Sequence, residues 1–337
     1  MKIGMDVHGG DLGAPETVQA ALRAVRELGT EMVLFGDRAV IEKELGAEVS
    51  NSNIQVVHCS ERVENEDTPT LAIRRKKDSS LVVGLTHLKE RKIDGFVTAG
   101  NTGAVLAGGI FVVGRIKGIS RPAICTVFPV GKRPSVLLDT GANAECKPGN
   151  LLEFALMGSL YADAVLGYTN PTVGLVNIGA EDHKGTPMHI EAYQLLKNNK
   201  AGINFVGNVE GRDVPSGSVD VIVADGFSGN IVLKLTEGVA KELLGAVKSA
   251  IMSSFVSKIG GALIKGSLSS LKKRLDYTEY GGAPILGVDG VLVKAHGSSN
   301  AKAFFNAVRY AEFAAKENIV EKIREGAQKL NAEAPER

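Results

Sequence analysis

Short apolar segments of strand length alternate with helical patterns along most of the chain, and this alternation constrains the fold more than any other feature. The strand segments are rich in Val and Ile and nearly continuous, which is typical of strands buried on both faces. Helical patterns such as Pro15 to Leu28 and Asn150 to Leu166 separate them. Because alternating strands and helices imply a mainly parallel sheet, we predict a doubly wound α/β fold.

Charge and cysteine content narrow the class of protein. The 337 residues include 39 Lys and Arg against 38 Asp and Glu, so no global field favours nucleic acid as a partner. Cys59, Cys125 and Cys146 are odd in number and far apart, which indicates neither a disulfide framework nor a metal cage. We expect a cytoplasmic protein without metal or cofactor.

The chain shows no sign of a separate targeting or membrane-spanning segment. No uninterrupted apolar run reaches about 18 residues, and the first residues meet an acid and two glycines too early for a signal peptide. We predict one catalytic α/β unit over residues 1–337. Its two lobes are expected to meet at seams near 146–150 and 280–290.

Glycine is over-represented, and its placement points to a ligand. The chain has 40 glycines, where an average chain of this length carries roughly 24. Many lie between a predicted strand and the next helix, where ligands bind in such sheets and backbone N–H groups can hold an anion. The predicted phosphate and substrate-binding residues are Gly100, Asn101, Thr102, Gly103, Asn143, Gly179, Gly226, Ser298, Ser299 and Asn300.

Three charged or titratable residues in these loops form the predicted catalytic set. Lys184 could hold phosphate as a point charge, and His296 could donate to an oxyanion or to phosphate. Asp225 could orient a donor or cap a helix. The sequence lacks the P-loop, Gly-x-Gly-x-x-Gly, Gly-x-Ser-x-Gly, His-Glu-x-x-His and Cys-x-x-Cys motifs. The remaining interpretation is phosphate chemistry without a covalent nucleophile or a metal.

Taken together, the loops resemble those of the bacterial phosphate acyltransferase family. The segments that carry the resemblance run almost from end to end of the chain and include 99–104, 139–143 with Lys147-Pro148, 177–179, 207–213, 225–227, 280–283 and 295–299. One departure is Val7-His8, where the family usually has Ala-Met before the first Gly-Gly.

The resemblance implies a fold similar to those of phosphate acetyltransferase and the isocitrate and isopropylmalate dehydrogenases. It also implies an enzyme of phospholipid synthesis that makes acyl phosphate from acyl-[acyl-carrier-protein] and inorganic phosphate. The implied enzyme is a homodimer that associates peripherally with the membrane, where a membrane-bound glycerol-phosphate acyltransferase consumes the product.

In that reaction, positioning and electrostatics should dominate, because phosphate already carries nucleophilic oxygens. We expect Lys184 and the loops at Asn101-Thr102 and Ser298-Ser299 to hold phosphate, and His296 to stabilise charge on the reacting oxygen or sulfur. On this interpretation Lys184→Met lowers turnover by orders of magnitude.

Residues 243–275 contain no acidic residue, although the chain is nearly neutral overall. Their apolar positions recur every three or four residues, so we predict a protruding amphipathic helical segment that meets an anionic membrane or the acidic carrier protein. Packing on the core or on a dimer partner is the alternative. The predicted contact residues are Lys258, Leu263, Lys265, Leu268, Leu271 and Lys272.

Three other functions stay open at this point. A phosphotransacetylase-like enzyme that uses acyl-CoA would share the chemistry, and acyl-donor preference separates it from the first interpretation. A metal-dependent hydroxy-acid dehydrogenase should show clustered arginines and paired aspartates, which the sequence lacks. A non-catalytic sensor would bind acyl-carrier protein without releasing free carrier when phosphate is added.

Overall fold

The computed structural model describes residues 1–128, 133–274 and 281–332, with backbone only for 270–274. Within these ranges the strands form a seven-stranded sheet in the order β3-β2-β1-β4-β12-β11-β5 and a five-stranded sheet in the order β6-β7-β10-β8-β9. The strands β1 to β12 are Lys2–Asp6, Glu31–Gly36, Ile54–His58, Gly95–Thr98, Ala123–Ile124, Thr126–Phe128, Ser135–Leu138, Thr172–Asn177, Asn204–Glu210, Val221–Val223, Ala283–Leu286 and Val291–Lys294.

Helices cover both sheets, as a doubly wound arrangement requires. The helices α1 to α12 are Ala14–Leu28, Arg38–Leu45, Pro69–Arg75, Ser80–Lys89, Thr102–Gly108, Pro148–Leu166, Pro187–Lys197, Gly226–Met252, Phe255–Leu263, Lys265–Arg274, Ala301–Lys316 and Ile319–Ala332. Short 3-10 helices lie at Gly46–Ser50 and Val214–Ser216, and a π-helical turn, Gly109–Val113, follows α5.

Most strand pairs are parallel, so the predicted fold class is confirmed. The antiparallel pairs are those of β11 with β12 and β5, and that of β6 with β7. The central strands β1, β4, β7 and β10 are almost wholly buried, which explains their continuous apolar sequences.

The sequence patterns differ from the structure in one important place. The apolar pattern of residues 123–128 predicts a single strand, as expected for a continuous apolar run of this length. In the structure, β5 joins the seven-stranded sheet and β6 joins the five-stranded one. Cys125, which is fully buried, lies at the change. The chain therefore enters the second sheet there and returns to the first at β11.

The predicted division into lobes stays a prediction. Residues 146–150 contain the start of α6, which lies within the part of the chain that builds the second sheet. Tyr280, at the second predicted seam, lies outside the described residues.

Helices α8, α9 and α10 follow one another without an intervening strand. Only Gly226 and Gly229 are buried in the 27 residues of α8, and no residue of α9 is buried. Across residues 1–128, 133–274 and 281–332, no helix has the length and apolar character needed to span a bilayer.

Candidate active site

The polar loops meet at the carboxyl ends of the parallel strands. Asp6, at the end of β1, is 2% exposed, and it accepts hydrogen bonds from the backbone N–H groups of His8 and Gly9. The Thr98 hydroxyl, at the end of β4, donates to the same carboxylate over 2.8 Å and accepts from the Gly100 N–H. This link holds the first two glycine loops side by side.

Asp139 organises the equivalent loop of the second sheet. The buried carboxylate accepts from the backbone N–H groups of Ile124, Gly141, Ala142 and Asn143 and from the Asn143 amide. Burial raises the pKa of Asp139, and these donors oppose that change because they favour the charged form. The carboxylate thus fixes the loop that brings Thr140 and Gly141 to the cavity described next.

Glycine permits the start of α8 to approach this loop closely. A Cβ atom at Gly229 would lie 2.0 Å from the Asp139 carbonyl oxygen, and one at Gly226 would lie 2.6 Å from the Asn143 carbonyl oxygen. A larger residue at either position would force the helix away from the sheet. Gly226 and Asn143, which the sequence predicts as substrate-binding residues, therefore contribute to the position of α8 against the loop.

A cavity of about 380 Å³ lies between the ends of the two sheets, and we call it the reaction cavity. Its wall combines lysines, a histidine, hydroxyls and an amide with apolar side chains. The lining residues are Thr102, Ile124, Thr126, Val127, Thr140, Gly141, Asn230, Leu233, Lys234, Glu237, Gly282, Ala283, Lys294, Ala295, His296, Ser299 and Ala303.

Lys294 is the last residue of β12 and carries a charge into this largely buried wall. Its Nζ donates to the Ala295 carbonyl oxygen over 2.6 Å. Burial lowers the pKa of the ammonium group to about 8, with Asp11 opposing the change and Lys234 adding to it. A lysine with so low a pKa can change its charge near neutral pH.

His296 lies two residues further along, in the same wall. The Ser298 N–H donates to Nδ1 over 3.2 Å, so the neutral ring carries its proton on Nε2. Burial lowers the pKa of His296, and Lys234 and Lys294 lower it further. The ring is therefore neutral at neutral pH and carries an N–H group rather than a positive charge.

Helix α8 contributes the opposite wall. Asp225 caps the helix by accepting from the backbone N–H groups of Phe227 and Ser228. Lys234 pairs with Glu237 over 3.0 Å, and both residues line the cavity. Because Asp225 fixes the first turn of α8, it positions Lys234 rather than entering the cavity itself.

The structure brings three of the predicted site residues to the reaction cavity, namely Thr102, His296 and Ser299. Ser298 contacts the His296 ring, and Asn101 and Asn300 cap α5 and α11. The remaining predicted loop residues do not line the cavity, and these are Gly100, Gly103, Asn143, Gly179 and Gly226.

Lys184 does not line the reaction cavity either. It lies on the loop after β8, where its Nζ is 4.0 Å from a Glu181 carboxylate oxygen and its carbonyl oxygen accepts from the Asn177 amide. Its side chain is 39% exposed and folds over Gly179. On the same edge of the sheet, His189 is 3.9 Å from Asp225, and burial lowers the pKa of this histidine.

The sequence interpretation missed the two lysines that do line the cavity. A signal for Lys294 exists, because a charged residue ends a buried Val-rich strand immediately before Ala295-His296. The sequence gives no comparable signal for Lys234. It lies in a long helical pattern with several lysines, and nothing in the pattern distinguishes the lysine that lines the cavity from the others.

The comparisons with known proteins decide the family. A family model described as "Fatty acid synthesis protein" matches residues 1–322. A protein named "Phosphate acyltransferase" from Alkaliphilus oremlandii is 53% identical over 98% of each chain. The chain belongs to the phosphate acyltransferase family. Relatives of the same name are 50% identical in Clostridium tetani, over 96% of this chain and 97% of the relative, and 48% identical in Clostridioides difficile, over 99% and 98%.

Solved structures support the same fold. A phosphotransacetylase from Streptococcus pyogenes superposes with a TM-score of 0.63 at 15% identity, over 95% of this chain and 94% of that one. One from Staphylococcus aureus gives 0.57 at 15% identity, over 98% and 94%. The fold expected from the resemblance to phosphate acetyltransferase is therefore confirmed.

Membership of the phosphate acyltransferase family also makes the protein an enzyme that transfers acyl groups. The curated relatives named above all carry the name phosphate acyltransferase, which favours an acyltransferase over the dehydrogenase and sensor interpretations. Within the described ranges, no group of three or more His, Cys, Asp or Glu side chains is placed to hold a metal ion.

Proposed function

We propose that the enzyme makes acyl phosphate from the thioester of acyl-[acyl-carrier-protein] and inorganic phosphate in the reaction cavity. The observation that carries the proposal is the convergence of Lys234, Lys294 and His296 with the hydroxyls of Thr102 and Ser299 beside an apolar wall. Cations and hydroxyl donors suit a phosphate dianion, and the apolar wall suits an acyl group.

The transfer needs no covalent intermediate on the protein. A phosphate oxygen attacks the thioester carbonyl carbon, the new C–O bond forms, and the C–S bond breaks with its electron pair leaving on sulfur. The proton of monohydrogen phosphate ends on that sulfur, so the products are acyl phosphate and the free carrier thiol. Because a thiol has a pKa near about 8.5, the leaving group needs little acid assistance.

Some of the side chains bind and orient phosphate, and His296 acts on the thioester. Lys294 and Lys234 neutralise the phosphate, and the hydroxyls of Thr102 and Ser299 orient it. The neutral His296 donates its N–H to the charge that develops on the carbonyl oxygen or the sulfur. Asp225 positions α8, as its capping contacts indicate.

A single assay tests this function. The purified enzyme is incubated with acyl-carrier thioester and inorganic phosphate, and acyl phosphate is trapped as its hydroxamate. We expect phosphate-dependent product and release of free carrier, and absence of product would reject the proposal. The same assay with acyl-CoA decides the alternative, because a phosphotransacetylase-like enzyme would prefer the CoA thioester.

The exposed tip formed by α9 and α10 supports membrane or carrier contact. Leu263 is 83% exposed, and Lys258 and Lys265 are exposed on the same acid-free stretch. Leu268 is partly buried, whereas the side chains of Leu271 and Lys272 lie outside the described residues. Exposed apolar groups beside lysines suit an anionic lipid surface. We propose peripheral membrane association from the cytoplasmic side, where a membrane-bound glycerol-phosphate acyltransferase takes up the product.

Vesicle sedimentation tests the membrane contact. We expect Leu263→Glu to lower binding to anionic vesicles at least tenfold, because it places a carboxylate in the apolar contact. Val49→Glu, at a position that is 45% exposed in the 3-10 helix after α2, is the matched control and should bind normally. Equal binding by both variants would contradict the contact. If Leu263→Glu binds vesicles normally but charge reversal of Lys258 and Lys265 abolishes binding of acyl-carrier protein in a separate titration, the segment contacts the carrier protein instead.

The apolar face of α8 supports a homodimer. Ile231, Leu235, Val239, Leu243 and Val247 follow at four-residue intervals, so each adjoins the next and the series forms an apolar stripe that winds gradually around the helix. Each is between 44% and 64% exposed. An apolar stripe of this length needs a partner in water. We expect Leu243→Glu to shift the enzyme from dimer to monomer in analytical ultracentrifugation, and a wild-type monomer would contradict the proposal.

A further inference from the structure

A second cavity, of about 300 Å³, lies between α6 and α11, and we call it the acyl groove. Its wall is mostly apolar or aromatic, apart from Asn306 and Arg309. The lining residues are Val127, Tyr161, Val165, Leu166, Asn306, Arg309, Tyr310 and Phe313. None of these residues has a part in the transfer described above except Val127, which also lines the reaction cavity.

Two elements place the acyl groove next to the reaction cavity. Val127 of β6 lines both, so one residue of an edge strand borders the two spaces. One face of α11 also lines both the reaction cavity and the acyl groove. Ala303 lines the reaction cavity, and Asn306, Tyr310 and Phe313 line the groove. Intervals of three and four residues keep these positions on one side of the helix.

The length and the chemistry of this path fit a hydrocarbon chain. From Ala303 to Phe313 the path covers about 15 Å along the helix axis. The rings of Tyr161 and Tyr310 lie with their centroids 6.0 Å apart and form part of the wall, and Phe313 is 41% exposed at the other end of this helix face. Each methylene that leaves water for such a wall raises affinity about fourfold.

We propose that the acyl groove holds the distal part of the donor's acyl chain and that its width sets the chain-length preference of the enzyme. The inference rests on the proposed function, because it takes the thioester to react beside Lys294 and His296. The chain then enters past Val127 and lies along the face of α11, with its end at Phe313. The occupant is a saturated or unsaturated fatty acyl chain rather than a second protein, because the groove shares Val127 and one face of α11 with the cavity where the acyl carbonyl reacts.

The test fills the groove and compares long with short donors. Val165 is half-buried on α6, and Val165→Phe places a ring in the groove. We expect kcat/KM for the palmitoyl-carrier thioester to fall at least tenfold, whereas the value for the butyryl thioester stays within about twofold. Val40→Phe, at a position that is 43% exposed on α2, is the matched control and should change neither value.

A second variant keeps the inference falsifiable if Val165→Phe does not fold. Phe313→Ala removes an apolar wall at the outer end of the groove, and we expect it to lower the ratio of palmitoyl to butyryl kcat/KM about fivefold. Phe111→Ala, at another exposed aromatic position away from the groove, should leave the ratio unchanged. Equal losses with both donors, or an unchanged ratio in both groove variants, would overturn the inference.

A binding measurement separates this inference from the proposed function. Titration of the enzyme with palmitate should give a dissociation constant that Val165→Phe raises at least tenfold, with or without turnover. An enzyme that binds palmitate in this way but makes no acyl phosphate would refute the proposed reaction and retain the groove. An enzyme that makes acyl phosphate but whose palmitate affinity is unaffected by Val165→Phe would refute the groove alone.

Discussion

The Lys294→Met variant should form acyl phosphate about a hundredfold to a thousandfold more slowly than the unsubstituted enzyme, because it removes a charged donor from a water-poor site. Met keeps the length and the apolar stem of the side chain, so the fold should survive. The hydroxamate assay with the acyl-carrier thioester measures the rate, and the phosphate dependence should show a raised KM for phosphate. A melting temperature close to that of the unsubstituted enzyme would confirm that the fold is intact.

Lys184→Met is the informative comparison for this variant. The sequence predicts a loss of orders of magnitude for it, whereas Lys184 lies outside the reaction cavity and faces Glu181. From the structure we expect turnover within about tenfold of the unsubstituted enzyme. If Lys184→Met lowers turnover as much as Lys294→Met does, Lys184 takes part in the reaction, and its loop must close over the cavity during turnover.

The predictable part of the fold is the part dictated by local patterns. The sequence predicts Val-rich strands such as β10 and β12 and amphipathic helices such as α1 and α11. Burial on one or both faces of such an element requires apolar residues at regular intervals, and these intervals can be recognised in the sequence. The division into two sheets could not be predicted in this way. It depends on which strands β5 and β6 pair with, and the residues on either side of Cys125 are equally apolar, so the sequence does not show where one sheet ends and the other begins.

The candidate site also has a part that the sequence could predict and a part that it could not. Thr102, His296 and Ser299, which the sequence predicts for the site, line the cavity because strand ends in a parallel sheet gather at one edge, which is a property of the topology alone. Which loops at that edge reach the same cavity depends on the angle between the two sheets, so the sequence favours Lys184, which follows β8, and passes over Lys294 at the end of β12. The sequence carries no direct record of that angle.

The pH dependence of phosphate use should report the charge on Lys294. With the pKa at about 8, the side chain is charged below that pH and neutral above it, so kcat/KM for phosphate should fall about tenfold for each pH unit above 8. Burial and the neighbouring lysines hold the pKa of His296 below its ordinary value, so the histidine is already neutral throughout this range.

Lys294→Arg separates Lys294 from any other group that titrates near this pH. A guanidinium stays charged to a pH above about 12, so the variant should lose activity through its altered geometry but keep a flat profile from pH 8 to about 10. Steady-state rates at phosphate concentrations well below KM measure the profile for both enzymes. If the decline persists unchanged in the arginine variant, its origin lies in another group, and Lys294 does not supply the charge that holds phosphate.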